Sequence, residues 1–106
     1  MNSGLDRESI YLWLSQELLS WPVLNAYLFG SFLDIDNNNP QDIDLYVCYE
    51  IEKIPKIVEL KHALRERFLA EFGMELHMLL LTDQESSEHQ RFLGEALAKS
   101  WCVVGR

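Results

Sequence analysis

The sequence predicts an α/β (α+β) domain, a small mixed sheet flanked by helices. Three observations carry that prediction. Apolar residues recur at helical spacing in three separate segments. Residues 42–49 alternate with a period of two, as a strand does. The run Met78-Leu79-Leu80-Leu81 is continuous and short, as in a strand covered on both faces. The elements read in the order helix, strand, strand, helix, strand, helix.

The first helix is predicted over residues 6–20. Ser3 and Asp6 are both suitable caps, Ile10, Trp13, Leu14 and Leu18 form its inner face, and Pro22 ends it. Its apolar character runs nearly all round, through Tyr11, Leu12 and Leu19, which points to burial against a partner or a second copy. Val23 to Phe29 reads as a buried strand, apolar apart from Asn25, and Gly30-Ser31 breaks it. Asp34 to Gln41, with three Asn in a row and then Pro40, is turn chemistry. On the strand that follows, Asp42 and Asp44 point to one face.

Pro55 opens the second helix and Gly73 closes it, with an apolar stripe of Ile57, Leu60, Leu64, Phe68 and Phe72 between them. Met74 to Leu81 is the third strand, predicted to be central in the sheet. Thr82-Asp83-Gln84-Glu85 is a capping box that opens a third helix through about Lys99, with Phe92, Leu93, Ala96 and Leu97 inward. Trp101 to Val104 adds a short edge strand. The tryptophans Trp13, Trp21 and Trp101 read as core or interface, and His62 and His89 as exposed helix residues.

Composition bounds the functional classes. The chain has 106 residues, 48% of them apolar and 25% charged, which suits one globular domain spanning residues 1–106. No apolar run is long enough to span a membrane and no secretory signal is visible, so a cytoplasmic location is expected. Cys48 and Cys102 lack the spacing of a zinc site or redox pair and are expected as buried, reduced thiols. The net charge is -8, from 9 Lys+Arg against 17 Asp+Glu. Residues 8–52 contain no Lys or Arg and eight acids, whereas residues 53–106 balance eight of each. Such an acidic half repels phosphate, so nucleic-acid binding by counterion release is not expected. It suits a cation or a basic protein.

One segment carries chemistry: Leu28-Phe29-Gly30-Ser31, ten residues, then Asp42-Ile43-Asp44-Leu45. A glycine after a strand lets the backbone approach a phosphate closely. Ser31 adds a hydroxyl and an N–H. Two carboxylates two residues apart on a strand can hold a hard cation such as Mg²⁺, which offsets the charge of a bound triphosphate. The nearby run Asp34-Ile35-Asp36-Asn37-Asn38-Asn39 starts like a calcium loop. That reading fails, because Asn39 stands where Gly is needed and Leu45 where a bidentate Glu belongs.

The Gly-Ser pair, the ten-residue spacer and the Asp-x-Asp strand together resemble the minimal nucleotidyltransferase domain, the small end of the DNA-polymerase-β-like nucleotidyltransferase superfamily. The resemblance spans residues 23–82. It implies that Gly30 and Ser31 bind the phosphates of ATP or another nucleoside triphosphate. It implies that Asp42 and Asp44 ligate Mg²⁺ and support attack of a hydroxyl on the α-phosphate. Members of the family supply a third carboxylate from a later strand. Here that strand reads Met74-Glu75-Leu76-His77. Either Glu75 serves as a longer-armed carboxylate, or His77 serves as a softer ligand or base, or neither reaches and the site is catalytically silent. The segment after Ser31 also lacks the Arg and Gly often found there.

Only about 24 residues follow the third strand, too few for the second domain that holds the acceptor in larger members. The acceptor is therefore expected on a partner chain or a second copy. Stand-alone domains of this kind resemble the antitoxin of two-gene toxin–antitoxin modules, whose partner is an all-helical HEPN ribonuclease. The resemblance implies transfer of AMP to a tyrosine of that toxin, or neutralisation of it by binding alone.

Overall fold

The computed structural model describes residues 6–33 and 42–105. Helix α1 spans Arg7–Leu18, with Asp6 at its cap accepting from the Ser9 backbone N–H at 3.2 Å. Strand β1 is Asn25–Phe29, and a 3₁₀ turn, Ser31–Leu33, follows Gly30. Strand β2 is Asp42–Tyr49. After a second 3₁₀ turn at Ile51–Lys53, helix α2 covers Ile54–Phe72 with Pro55 in its first turn. Gly73 ends it with φ +69, in the left-handed region that glycine adopts without steric cost. Strand β3 is Glu75–Thr82, helix α3 Asp83–Glu88, helix α4 Gln90–Ala96 and strand β4 Ser100–Val104.

The four strands form one mixed sheet in the order β3-β2-β1-β4. β1 pairs antiparallel with both β2 and β4, while β2 and β3 run parallel and are joined by α2. The pleat sorts the side chains. Ala26, Leu28, Ile43, Leu45, Val47 and Leu76 belong to the main core with Ile10, Leu14 and Leu18 of α1 and Ile57, Leu64 and Phe68 of α2. The predicted α2 stripe is present whole, since Leu60 and Phe72 pack against that core. Trp13 joins the two helices through edge contacts with Phe68 and Phe72 at 5.7 and 5.5 Å. An Arg67–Glu17 ion pair spans the same seam. The opposite face carries a smaller cluster, Tyr46, Cys48 and Leu93 with Tyr27, Phe29, Leu79, Leu81 and Leu97 around it.

Four expectations are corrected. β3 lies at a sheet edge, not in the centre. Its apolar run arises because α2 covers Leu76, Met78 and Leu80 on one face and the α4 cluster takes Leu79 and Leu81 on the other. Cover on both faces therefore does not require a strand on both sides. The third helix is two short helices: the Thr82 capping box forms as predicted, but the chain breaks at His89, which has φ -115 and ψ 33. Phe92 is consequently 55% exposed, and only Leu93 of the predicted inward set is fully buried. Finally, Cys48 is buried but Cys102 is exposed on β4.

Helix α1 ends at Leu18, four residues before Pro22. Leu12 and Leu19 stand out from it, 54% and 83% exposed. Trp21 is buried, Trp13 is half-buried and Trp101 is exposed, with its ring meeting Tyr11 and Phe32 edge-on. His62 and His89 are exposed, as predicted. Ser3, the candidate calcium-type run from Asp34 to Asn39, and Pro40 lie outside the described residues. Among the described residues, no helix is long and apolar enough to cross a membrane.

Candidate metal centre

The face that carries Tyr46 and Cys48 is covered by α4 only over part of its length. Asp42 and Asp44 lie on that same face by the two-residue period, at the uncovered end. Neither is fully buried. The parallel pairing of β2 with β3 sets Asp42 against Glu75 and Asp44 against His77. The sequence-predicted residues on the two strands are thus brought to one place by the sheet register.

They do not play equal parts there. His77 Nδ1 lies 3.7 Å from Asp42 Oδ2 and 3.8 Å from Asp44 Oδ1, while its Nε2 is 3.2 Å from Glu75 Oε1. The imidazole stands between the aspartate pair and Glu75. Asp42, Asp44 and His77 each offer a ligand atom, and these atoms lie within 4.8 Å of one another. Glu75 orients the ring from behind. Burial pushes the Asp44 carboxyl above the ordinary carboxylate range, the neighbouring Asp42 charge pushes it the same way, and His77 opposes both. An ion with two positive charges relieves that repulsion.

Gly30 closes the other side of the site. Phe29 is paired with Asp44 across β1 and β2, so the residue after it turns over the carboxylate. Gly30 has φ +89, and a Cβ at this position would collide with Asp44 Oδ2. Position 30 is therefore closed to side chains for two independent reasons. Ser31 starts the 3₁₀ turn and is exposed, and the Leu33 N–H closes that turn on the Gly30 carbonyl at 3.1 Å. Arg7 reaches the same turn from α1, donating from Nε to the Phe32 carbonyl at 2.7 Å.

The donor set fits a divalent cation. Bonds of about 2.0–2.1 Å to a hard ion put opposite donors roughly 4.2 Å apart, so a small rotation of these half-exposed side chains closes the cluster. The carboxylates suit Mg²⁺; the imidazole adds a softer donor that suits Mn²⁺ or Zn²⁺. The proximity of His77 to the aspartates could not be read from spacing along the chain, because it lies 33 positions beyond Asp44. No family model, no curated protein and no solved structure matches the chain.

Proposed function

We propose that this protein is a Mg²⁺-dependent nucleotidyltransferase-fold protein that transfers AMP from ATP to a tyrosine hydroxyl of a protein partner, a HEPN-type ribonuclease, and so acts as its antitoxin. The observation that supports this reading is the meeting of Asp42, Asp44 and His77 beside the side-chain-free turn at Gly30. In it Asp42 and Asp44 hold the ion, and Gly30 and Ser31 face the phosphates. When bound, the cation offsets phosphate charge and polarises the α-phosphoryl group. The acceptor oxygen attacks the α-phosphorus, the bond to the β-phosphate oxygen breaks, and pyrophosphate leaves. In this reading His77 stands outside the ion's shell: held by Glu75, it takes the acceptor proton on its ring nitrogen facing the aspartates.

The test is calorimetric binding of ATP with and without Mg²⁺, followed by transfer of labelled AMP to the ribonuclease. Mg²⁺-dependent binding and transfer, both lost in Asp44→Asn, support the reading. ATP binding that ignores Mg²⁺ and Asp44 refutes it. A second reading is a catalytically silent domain that neutralises its partner by contact. The exposed Leu12 on α1 and Leu19 at its C-cap, seven residues apart, favour it. Under that reading Asp42→Asn and Asp44→Asn neutralise as well as wild type, and Leu12→Asp with Leu19→Asp does not.

A further inference from the structure

Strand β3 closes one side of the sheet, and among the described residues no strand pairs with its outer edge. Natural edge strands are kept short, bulged, or guarded by Lys or Pro, because a bare edge is a template for another strand. β3 has none of these guards. It is eight residues long, its pairing with β2 runs without a register shift from Asp42 with Glu75 to Tyr49 with Thr82, and its centre reads Met78-Leu79-Leu80-Leu81. Cover on its two faces leaves all four of those residues only part-buried. The other edge strand, β4, is shorter at five residues, and its pairing with β1 shifts register at the Ala26/Tyr27 step.

The flank of α2 beside this edge is bare in the same way. Ile54, Val58, Arg65 and Leu69 fall on one side of the helix, turned away from the Arg67–Glu17 pair that faces α1. Ile51 and Ile54 border a hollow with Leu80 near the end of β3, and Arg65 and Leu69 border another with Glu75 and Leu76 at its start. Val58 therefore stands level with the middle of the strand. Ile51, Ile54, Val58 and Leu69 are four of the eight large apolar residues exposed among the described residues, so half of them gather along this one wall.

We infer that this wall joins two copies of the chain, β3 pairing antiparallel with β3 of the other copy and α2 lying against its α2, so that two four-stranded sheets become one. Three features select a second copy. The first is net charge: residues 54–82 carry four bases and four acids, so the wall meets its own copy without the repulsion that the acidic first half would bring. The second is the difference between its ends. His62 and Arg65 stand with Glu66 and Glu75 at one end, whereas the hollow at the other holds Glu85 and Glu88 and no base. A two-fold axis through the middle sets Val58 against its own counterpart and turns each Arg65 toward the Glu88 end of the other copy. The third is size. A helix about 28 Å long behind a strand about 27 Å long, together about 20 Å deep, presents roughly 550 Å² per copy, close to the roughly 600 Å² at which specific interfaces begin. Pairing through the edge leaves the face that bears Asp42, Asp44 and His77 open, so the inference stands apart from the nucleotidyltransferase reading.

The experiment is sedimentation equilibrium of the full chain up to ~100 μM, because interfaces of this size are weak, together with hydrogen exchange over the same range. A species of twice the 12.4 kDa chain mass is expected, with the amides from Met78 to Leu81 gaining protection as concentration rises. Val58→Lys sets two like charges at the axis from a position already exposed, so it should fold, and it should weaken dimerisation at least roughly tenfold. Arg65→Glu and Glu88→Arg should each weaken it roughly three- to tenfold, and the two together should restore it. Phe92→Lys, on α4, should leave it unchanged. A monomer at every concentration, a dimer indifferent to Val58→Lys or lost in Phe92→Lys, no recovery in the double variant, or β3 amides left unprotected in the dimer would overturn the inference. So would a monomer whose β3 amides gain protection only from the ribonuclease, which would give the edge to that partner. None of these outcomes bears on Asp44-dependent binding of Mg²⁺·ATP, so failure here and failure of the carboxylate reading are separable.

Discussion

Gly30 and Asp44 fit together only because residue 30 has no side chain: a Cβ there would meet the Asp44 carboxylate, and the backbone has φ +89. The two penalties are separable. Gly30→Ala is expected to destabilise the protein by roughly 1–3 kcal/mol, from left-handed strain and from the collision. In an Asp44→Ala background the collision is gone and only the strain remains, so the same substitution should cost measurably less. Urea unfolding of the four members of this cycle tests it, and additive costs would show that the contact does not matter.

Asp44 is expected to be a stability liability that binding turns to use. Its pKa is raised in the fold, first by burial and then by Asp42. Ionising it therefore costs more in the folded chain than in the unfolded one. That cost is absent below the ordinary value of 3.8, grows as pH rises through the folded value, and is fully present above it. Asp44→Asn should melt higher than wild type at pH 7, and the difference should vanish near pH 3. A variant that melts lower at pH 7 would contradict this.

Metal choice should report on His77. If the imidazole joins Asp42 and Asp44 around an ion, His77→Ala weakens Mn²⁺ binding more than Mg²⁺ binding, because the softer ion gains more from nitrogen. Thermal shift in each metal measures both. Equal losses would leave His77 outside the coordination sphere. Asp42→Asn should weaken both ions alike.

Phe68 is fully buried and contacts both Trp13 and Phe72. It is the anchor between α1 and α2. Phe68→Ala is expected to cost about 3–5 kcal/mol by equilibrium unfolding. Phe92→Ala, at an exposed position on α4, should change stability by no more than about 0.5 kcal/mol.

The two thiols should react at very different rates. Cys102 is exposed and should be modified quickly by a thiol reagent under native conditions. Cys48 is buried, with Ser86 Oγ 3.5 Å from its sulfur, and should react only as the chain opens. Two fast thiols would mean that the α3–α4 segment does not hold down the β2 face.

What the sequence determined by itself was local. The stripe from Ile57 to Phe72, Pro55 and Gly73 at the ends of α2, the Thr82–Glu85 box and the shared face of Asp42 and Asp44 all follow from periods of 3.6 and 2 and from turn chemistry. These are properties of a few consecutive residues, and the fold keeps them. Gly30 was legible as a glycine after a strand, but its reason, the Asp44 carboxylate, was not. Strand order, the edge position of β3, the break at His89 and the exposure of Cys102 were decided by tertiary packing. So was the register that sets His77 against Asp44. Each depends on which distant surface covers an element, and that is fixed by the burial of the whole core rather than by any short stretch of chain.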